Sequence, residues 1–113
     1  MQIFLKTEDE INLMRKANQL VGLTLEELGK HIKPGVTTLQ LDRIAEEFIR
    51  DHGAVPTFMN FPNPFGEPFP ANICTSINDV VVHGIPSEDD VLREGDIISI
   101  DSVSYTHLTL PTI

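Results

Sequence analysis

The chain has 113 residues, of which 41% are hydrophobic and 22% are charged, with eight basic residues against seventeen acidic ones. The net charge of −9 argues against nucleic acid and anionic membrane surfaces as partners, because both are bound by clustered basic side chains. The single cysteine, Cys74, excludes an internal disulfide, and no segment has the continuous apolar length of a membrane span. These features predict one globular domain in the cytoplasm.

A long amphipathic helix is predicted near the start of the chain. Thr7 and Glu10 have the spacing of a capping box, in which each side chain binds the other residue's backbone amide. Apolar residues then recur at steps of three and four, which predicts a helix to about His31. The predicted buried stripe is Ile11, Met14, Ala17, Val21, Leu25, Leu28 and Ile32, and Leu13, Leu20 and Leu23 widen it.

A second helix is predicted after a Pro-Gly turn at residues 33–35. It begins near Thr37 or Thr38, where Thr37 and Gln40 have the spacing of another capping box. Gly53 is predicted to end it as a left-handed cap. The predicted buried face is Leu41, Ile44, Ala45, Phe48 and Ile49.

The remainder of the chain is typical of short strands joined by turns. Strands are predicted at residues 54–59, 73–77, 80–83 and 97–101. The Asn78-Asp79 pair is predicted to join the second and third strands as a hairpin. Residues 61–70 carry four prolines and are predicted to form a loop. Helices followed by strands predict an α+β fold, with two helices packed on one face of a mainly antiparallel sheet.

Two polar residues that end apolar runs are candidates for chemistry, namely His83 after residues 80–82 and Asp101 after residues 97–100. A strand-end imidazole can bind a substrate or move a proton near neutral pH, and a strand-end carboxylate can bind a divalent cation. Spacing alone favours structural roles for both. Backbone groups at a sheet edge would satisfy His83, and Asp101 could cap a turn or face solvent.

Cys74 lies in an apolar stretch without a neighbouring basic residue. A thiol in such surroundings is a poor nucleophile, and the pattern favours a buried cysteine that packs as a small hydrophobic side chain. If this buried cysteine has a function, it is to form part of the wall of an apolar pocket. His31 and His52 lie at the ends of the predicted helices, where a cationic ring suits the helix dipole, and both are assigned structural roles.

Two longer motifs carry a resemblance to a known family. Residues 73–86, ICTSINDVVVHGIP, resemble a segment typical of type I methionine aminopeptidases, and residues 94–101, EGDIISID, follow at the spacing of that family. Residues 6–11 and the corner at residues 33–38 are also similar to it. The resemblance covers residues 1–101, which it identifies as the N-terminal part of the catalytic domain.

This resemblance implies a pita-bread (creatinase/aminopeptidase) fold whose two similar halves enclose two divalent metal ions, which could be Co, Mn, Fe or Zn. Two aspartates, a histidine and two glutamates hold the ions in the family. A water molecule made nucleophilic by the metals attacks the carbonyl after the N-terminal methionine of a nascent polypeptide. The resemblance also implies a monomer.

The resemblance assigns roles to five residues of this sequence. Asp101 matches the first metal aspartate, and His83 matches a histidine that contacts the substrate near the scissile amide and assists proton handling. Cys74 matches a wall of the pocket for the methionine side chain, and Phe69 matches an aromatic wall. Phe61 is a further candidate, in a proline-rich loop that is longer than in many relatives.

The resemblance ends at Asp101. The family has a second metal aspartate eleven positions later, where this chain has Thr112, so residues 102–113 are predicted to be a foreign tail. On this basis the chain by itself is expected to be an inactive fragment of the aminopeptidase. Two alternatives remain: a non-catalytic pita-bread binding module, and a proline-directed peptidase of the same superfamily, which residues 82–86 fit less well.

Overall fold

The computed structural model describes residues 2–64 and 66–105. Within these ranges, two helices are followed by four short strands. The helices are α1 (Glu8–Gly29) and α2 (Thr38–Asp51), and the strands are β1 (Val55–Pro56), β2 (Ile73–Ile77), β3 (Ile98–Ser102) and β4 (Ser104–Tyr105). β2 pairs with β3 and β1 pairs with β4, both antiparallel. The predicted combination of two helices with an antiparallel sheet is therefore confirmed.

Both predicted capping boxes are present. The Thr7 amide donates to Glu10 Oε1 at 2.9 Å, and the Glu10 amide donates to Thr7 Oγ1 at 3.2 Å. The equivalent distances between Thr37 and Gln40 are 2.8 and 3.1 Å. Gly53 has a φ of 76°, which confirms it as the left-handed residue after α2.

The buried face of α1 agrees with the predicted stripe at Leu20 and Leu28 but differs from it along most of its length. The buried residues are Leu20, Thr24 and Leu28, which are four apart and share one side of the helix. Most of the predicted stripe is exposed, by 44% at Ile11, 38% at Met14, 40% at Leu25 and 40% at Ile32. The prediction was wrong because apolar residues occur around most of α1, and the contacts with α2, β3 and β4 select which of them are covered.

The core consists of two neighbouring clusters. One contains the buried residues Leu28, Leu41, Ala45, Ile73 and Leu92, and it joins α1, α2 and β2. The other contains Leu20, Ile49 and Ala54. All five residues predicted for the buried face of α2 are buried or half-buried, so this prediction is confirmed.

A carboxylate in α2 holds the start of β2 by three hydrogen bonds. Asp42 Oδ1 accepts from the backbone amides of Asn72 at 2.7 Å and Ile73 at 3.0 Å, and its Oδ2 accepts from the Asn72 side chain at 2.9 Å. Asp42 is only 4% exposed. Hydrogen bonds to a charged acceptor are stronger than neutral ones, particularly away from water. This Asp42–Asn72 clamp therefore sets the position of β2 against the helices.

The predicted hairpin between residues 73–77 and 80–83 is wrong. β2 pairs instead with β3, through five residue pairs from Ile73–Ser102 to Ile77–Ile98. The three valines before His83 form no strand and are 46%, 83% and 63% exposed. Asn78 does not form a hairpin turn but binds the residues just before β3. Its backbone amide donates to the Ile97 carbonyl at 2.9 Å, and its side-chain amide donates to Asp96 at 3.0 Å.

The predicted strand at residues 54–59 is present only as the two-residue β1. The predicted boundary after Asp101 falls inside β3, because Ser102 pairs with Ile73 and Ser104 follows in β4. Residues 106–113 of the predicted tail, with Thr112 among them, lie outside the described residues. Within the described ranges, neither α1 nor α2 combines the length and apolar character needed to cross a membrane.

Replacing the clamp carboxylate should destabilise the fold. In Asp42→Ala, two backbone amides and one side-chain amide lose a buried charged acceptor, so the free energy of unfolding should fall by about 3 kcal/mol. Urea denaturation followed by circular dichroism measures this. Glu47→Ala on the exposed side of α2 is the matched control and should change stability by less than about 0.5 kcal/mol. Equal losses in the two variants would contradict the role of the clamp.

Candidate functional site

Cys74 and Asp101 are directly opposed in the register between β2 and β3. Opposed residues of an antiparallel pair project from the same face of the sheet. Ile73 and Ile100 pack into the core with the helices on the other face. Cys74 and Asp101 therefore lie together on the sheet face that is turned away from the helical core.

The Cys74 side chain is buried, at 2% exposure, as predicted from its apolar surroundings. Burial is the main cause that raises the pKa of its thiol to about 11, and the nearby carboxylates of Asp101 and Asp42 raise it further. Both causes act in the same direction, because each disfavours the thiolate. At neutral pH the side chain is a neutral thiol, suited to a pocket wall rather than to nucleophilic attack.

A cavity of about 420 Å³ lies over Cys74. Its lining includes all four residues that the sequence assigns to substrate binding, which are His83, Cys74, Phe69 and Phe61. The other lining residues are Phe58, Pro62, Asn63, Pro64, Glu67, Pro70 and Ile85. The structure thus brings together residues that are as many as 22 positions apart in the sequence.

The proline-rich loop forms one side of this cavity and is closed at its base by backbone hydrogen bonds. The Asn60 amide donates to the Phe69 carbonyl at 2.8 Å, and the Phe69 amide donates to the Phe61 carbonyl at 3.1 Å. The rings of Phe58 and Phe69 are 5.9 Å apart and tilted by 57°, a favourable aromatic arrangement. Phe58, just before the loop, and Phe69 within it therefore form a packed aromatic wall of the cavity that Cys74 also lines.

Seven of the described lining residues were not identified from the sequence, among them Phe58, Glu67 and Ile85. Phe58 falls inside the predicted strand at residues 54–59, and the pattern of apolar residues in a strand gives no sign of a pocket. Ile85 lies two positions after His83 in the family motif, and this proximity was the available signal. Glu67 supplies the one carboxylate among the lining residues that the structure describes, and the composition of its loop gave no indication of this position.

His83 lies at the rim of the cavity as an exposed residue with a φ of 57°. This left-handed conformation is uncommon for a residue that carries a side chain. It is incompatible with the strand that was predicted to end at His83, and the residue lies in a loop instead. The next residue, Gly84, is hydrogen-bonded to β2 through the Thr75 amide at 2.9 Å.

Asp101 is exposed and lies beside Cys74, next to the cavity lining. Its carboxylate is a suitable oxygen ligand for a divalent cation. Across residues 2–64 and 66–105, however, no three His, Cys, Asp or Glu side chains are grouped so that they could hold a metal ion. The described residues therefore do not by themselves make a metal centre.

The raised thiol pKa predicts slow alkylation of Cys74. In the folded chain the thiolate fraction at neutral pH is about 100-fold below that of a cysteine with the ordinary pKa of 9.0, and burial further restricts access. Iodoacetamide should therefore modify the native chain at least about 100-fold more slowly than the urea-unfolded chain, measured by intact mass. Similar rates in the two states would show that the thiol is accessible and ionised.

A model of metallopeptidase family M24 matches residues 12–108. The chain is 54% identical over 99 residues to a methionine aminopeptidase of Clostridium acetobutylicum, an alignment that covers 88% of this chain and 38% of that protein. The chain therefore spans well under half the length of this relative. The resemblance to methionine aminopeptidases noted in the sequence is confirmed.

Solved structures of methionine aminopeptidases have the same fold. The enzyme from Rickettsia prowazekii matches with a TM-score of 0.82 and 43% identity, over 91% of this chain and 39% of that one. The enzyme from Thermotoga maritima matches with a TM-score of 0.84 and 33% identity, over 93% of this chain and 40% of that one. These similarities confirm the prediction of a pita-bread fold. The chain belongs to metallopeptidase family M24.

Proposed function

We propose that this chain contributes the substrate pocket of a methionine aminopeptidase, which removes the initiator methionine from nascent polypeptides in the cytoplasm. One observation carries the proposal. Cys74, Phe69, Phe61 and His83, which the family resemblance assigns to substrate binding, line a single cavity of about 420 Å³. Such a volume lies within the range of small-ligand pockets, which is roughly 300–1,000 Å³.

The chemistry of the cavity suits a methionine side chain. The rings of Phe58, Phe61 and Phe69 line it, and thioethers make favourable contacts with aromatic rings. Cys74 adds a polarisable sulfur that burial holds in the neutral form, since its pKa is raised to about 11. A neutral wall matters here, because a thiolate would have to be desolvated each time an apolar side chain entered.

His83 is proposed to act on the peptide group rather than on the methionine side chain. An imidazole at the rim of the pocket is placed to hydrogen-bond the substrate next to the bound side chain, near the scissile amide. The expected contribution is orientation of the amide and assistance with proton transfer.

Asp101 is proposed to supply one metal ligand. Family M24 consists of metallopeptidases, which implies divalent metal ions. In the complete enzyme two such ions, Co, Mn, Fe or Zn, would activate the attacking water. The register between Cys74 and Asp101 supports this role, because it places a carboxylate directly beside the wall of the substrate pocket.

Binding of a methionyl peptide tests the pocket directly. Met-Ala amide titrated into the 113-residue chain should shift the NMR signals of Cys74, Ile85 and His83, whereas Asp-Ala amide should not. Phe69→Ala removes an aromatic wall and should weaken binding by about tenfold. Phe4→Ala, at a half-exposed phenylalanine outside the cavity lining, is the matched control. Equal binding of both peptides, or a preference for Ala-Pro amide, would contradict a methionine pocket.

The 113-residue chain should release no methionine from Met-Ala-Ser in the presence of Mn²⁺ or Co²⁺. The reason is that a dinuclear site needs several ligands, and Asp101 provides one of them. Liquid chromatography of the peptide products measures this. Turnover by the purified chain, abolished by Asp101→Asn, would overturn the expectation of inactivity while supporting the assignment of Asp101.

A further inference from the structure

We infer that Ser76 is a positioning residue, whose hydroxyl holds His83 at the rim of the pocket through the backbone of Gly84. The inference rests on the proposed function, because it concerns how the substrate-facing imidazole is kept in place. Ser76 itself is not among the residues that line the cavity, and it acts on the substrate only through His83.

Gly84 is attached to β2 by two hydrogen bonds. Its amide donates to Ser76 Oγ at 3.1 Å, and its carbonyl oxygen accepts from the Thr75 amide at 2.9 Å. The two bonds hold both polar groups of one residue against two consecutive strand residues. Ser76 is only 5% exposed, so water has little access to replace its hydroxyl as the acceptor.

The approach of Gly84 to β2 leaves no space for a side chain. A Cβ atom at this position would overlap the carbonyl oxygen of Thr75 and would lie 2.7 Å from its carbonyl carbon. The two backbones are therefore in direct contact.

His83 depends on this attachment because little else in its loop fixes the backbone. Its left-handed φ of 57° is disfavoured for a residue with a side chain. Val81 and Val82, which precede it, are 83% and 63% exposed and make no substantial packing contribution. On the other side, Gly84 is attached to β2 and Pro86 is buried. The anchored glycine is thus the immediate neighbour that constrains His83.

Removing the Ser76 hydroxyl should therefore release His83 without altering the aromatic wall. In Ser76→Ala, hydrogen exchange of the Gly84 amide should be about tenfold faster, as for the loss of one buried hydrogen bond. The NMR signals of the His83 ring should shift toward those of a mobile histidine. Ser99→Ala is the matched control, since Ser99 is exposed and lies directly opposite Ser76 on β3. It should change neither signal.

Rescue and a double-mutant cycle separate positioning from general destabilisation. Ser76→Thr keeps the hydroxyl and should restore slow exchange at Gly84, and Ser76→Cys offers a near-isosteric variant with a weak acceptor if Ser76→Ala does not fold. Ser76→Ala should weaken binding of Met-Ala amide about threefold to tenfold in the native background. In a His83→Ala background the same change should have no further effect, because Ser76 acts through His83.

Two results would overturn the inference. One is an equal hydrogen-exchange rate of the Gly84 amide in the Ser76→Ala and Ser99→Ala chains. If Ser76→Cys replaces Ser76→Ala, an equal rate in Ser76→Cys and Ser99→Ala has the same meaning. The other is an additive effect of the Ser76 and His83 substitutions on affinity. A failure of the unsubstituted chain to bind Met-Ala amide would count against the proposed function instead. Exchange at Gly84, measured without any ligand, would still decide whether Ser76 anchors the loop.

Discussion

The Asp42–Asn72 clamp is the interaction on which the remaining structure depends. It joins a buried carboxylate in α2 to Asn72 and to Ile73, the first residue of β2, with three hydrogen bonds between 2.7 and 3.0 Å. A buried charge is costly unless it is fully hydrogen-bonded, so β2 has one favourable position against the helix. Once β2 is placed, its neighbours follow, because β3 pairs along one edge and Gly84 contacts the other.

β2 also connects the core to the pocket. Ile73 packs among the helices, while the next residue, Cys74, points to the opposite face and forms part of the cavity wall. Two positions further along, Ser76 binds the loop that carries His83. Alternation along one strand thus places a core residue, a pocket wall and a loop anchor within four positions. A shift of β2 would therefore alter packing and substrate contacts together.

The sequence predictions were correct where the interacting residues are close in the chain and failed where they are far apart. The capping boxes at Thr7 and Thr37 were correct because each depends on residues three apart. The hairpin after Asn78 was wrong because β2 pairs with β3, about 20 positions downstream, and no local turn signal reports that choice. Likewise, periodicity identified α1 as a helix, but contacts with α2, β3 and β4 selected its buried face.

The amino-acid sequence by itself determined the two helices and the family membership, together with a short set of pocket candidates that the motif identified without any geometry. Only the tertiary structure decided that Cys74, Phe69, Phe61 and His83 meet around one cavity, and that Asp101 lies opposite Cys74. It also revealed the contact of Gly84 with β2. The physical reason is that helices and caps arise from neighbours in the chain, whereas a pocket requires distant segments to be held together by strand pairing and by buried hydrogen bonds.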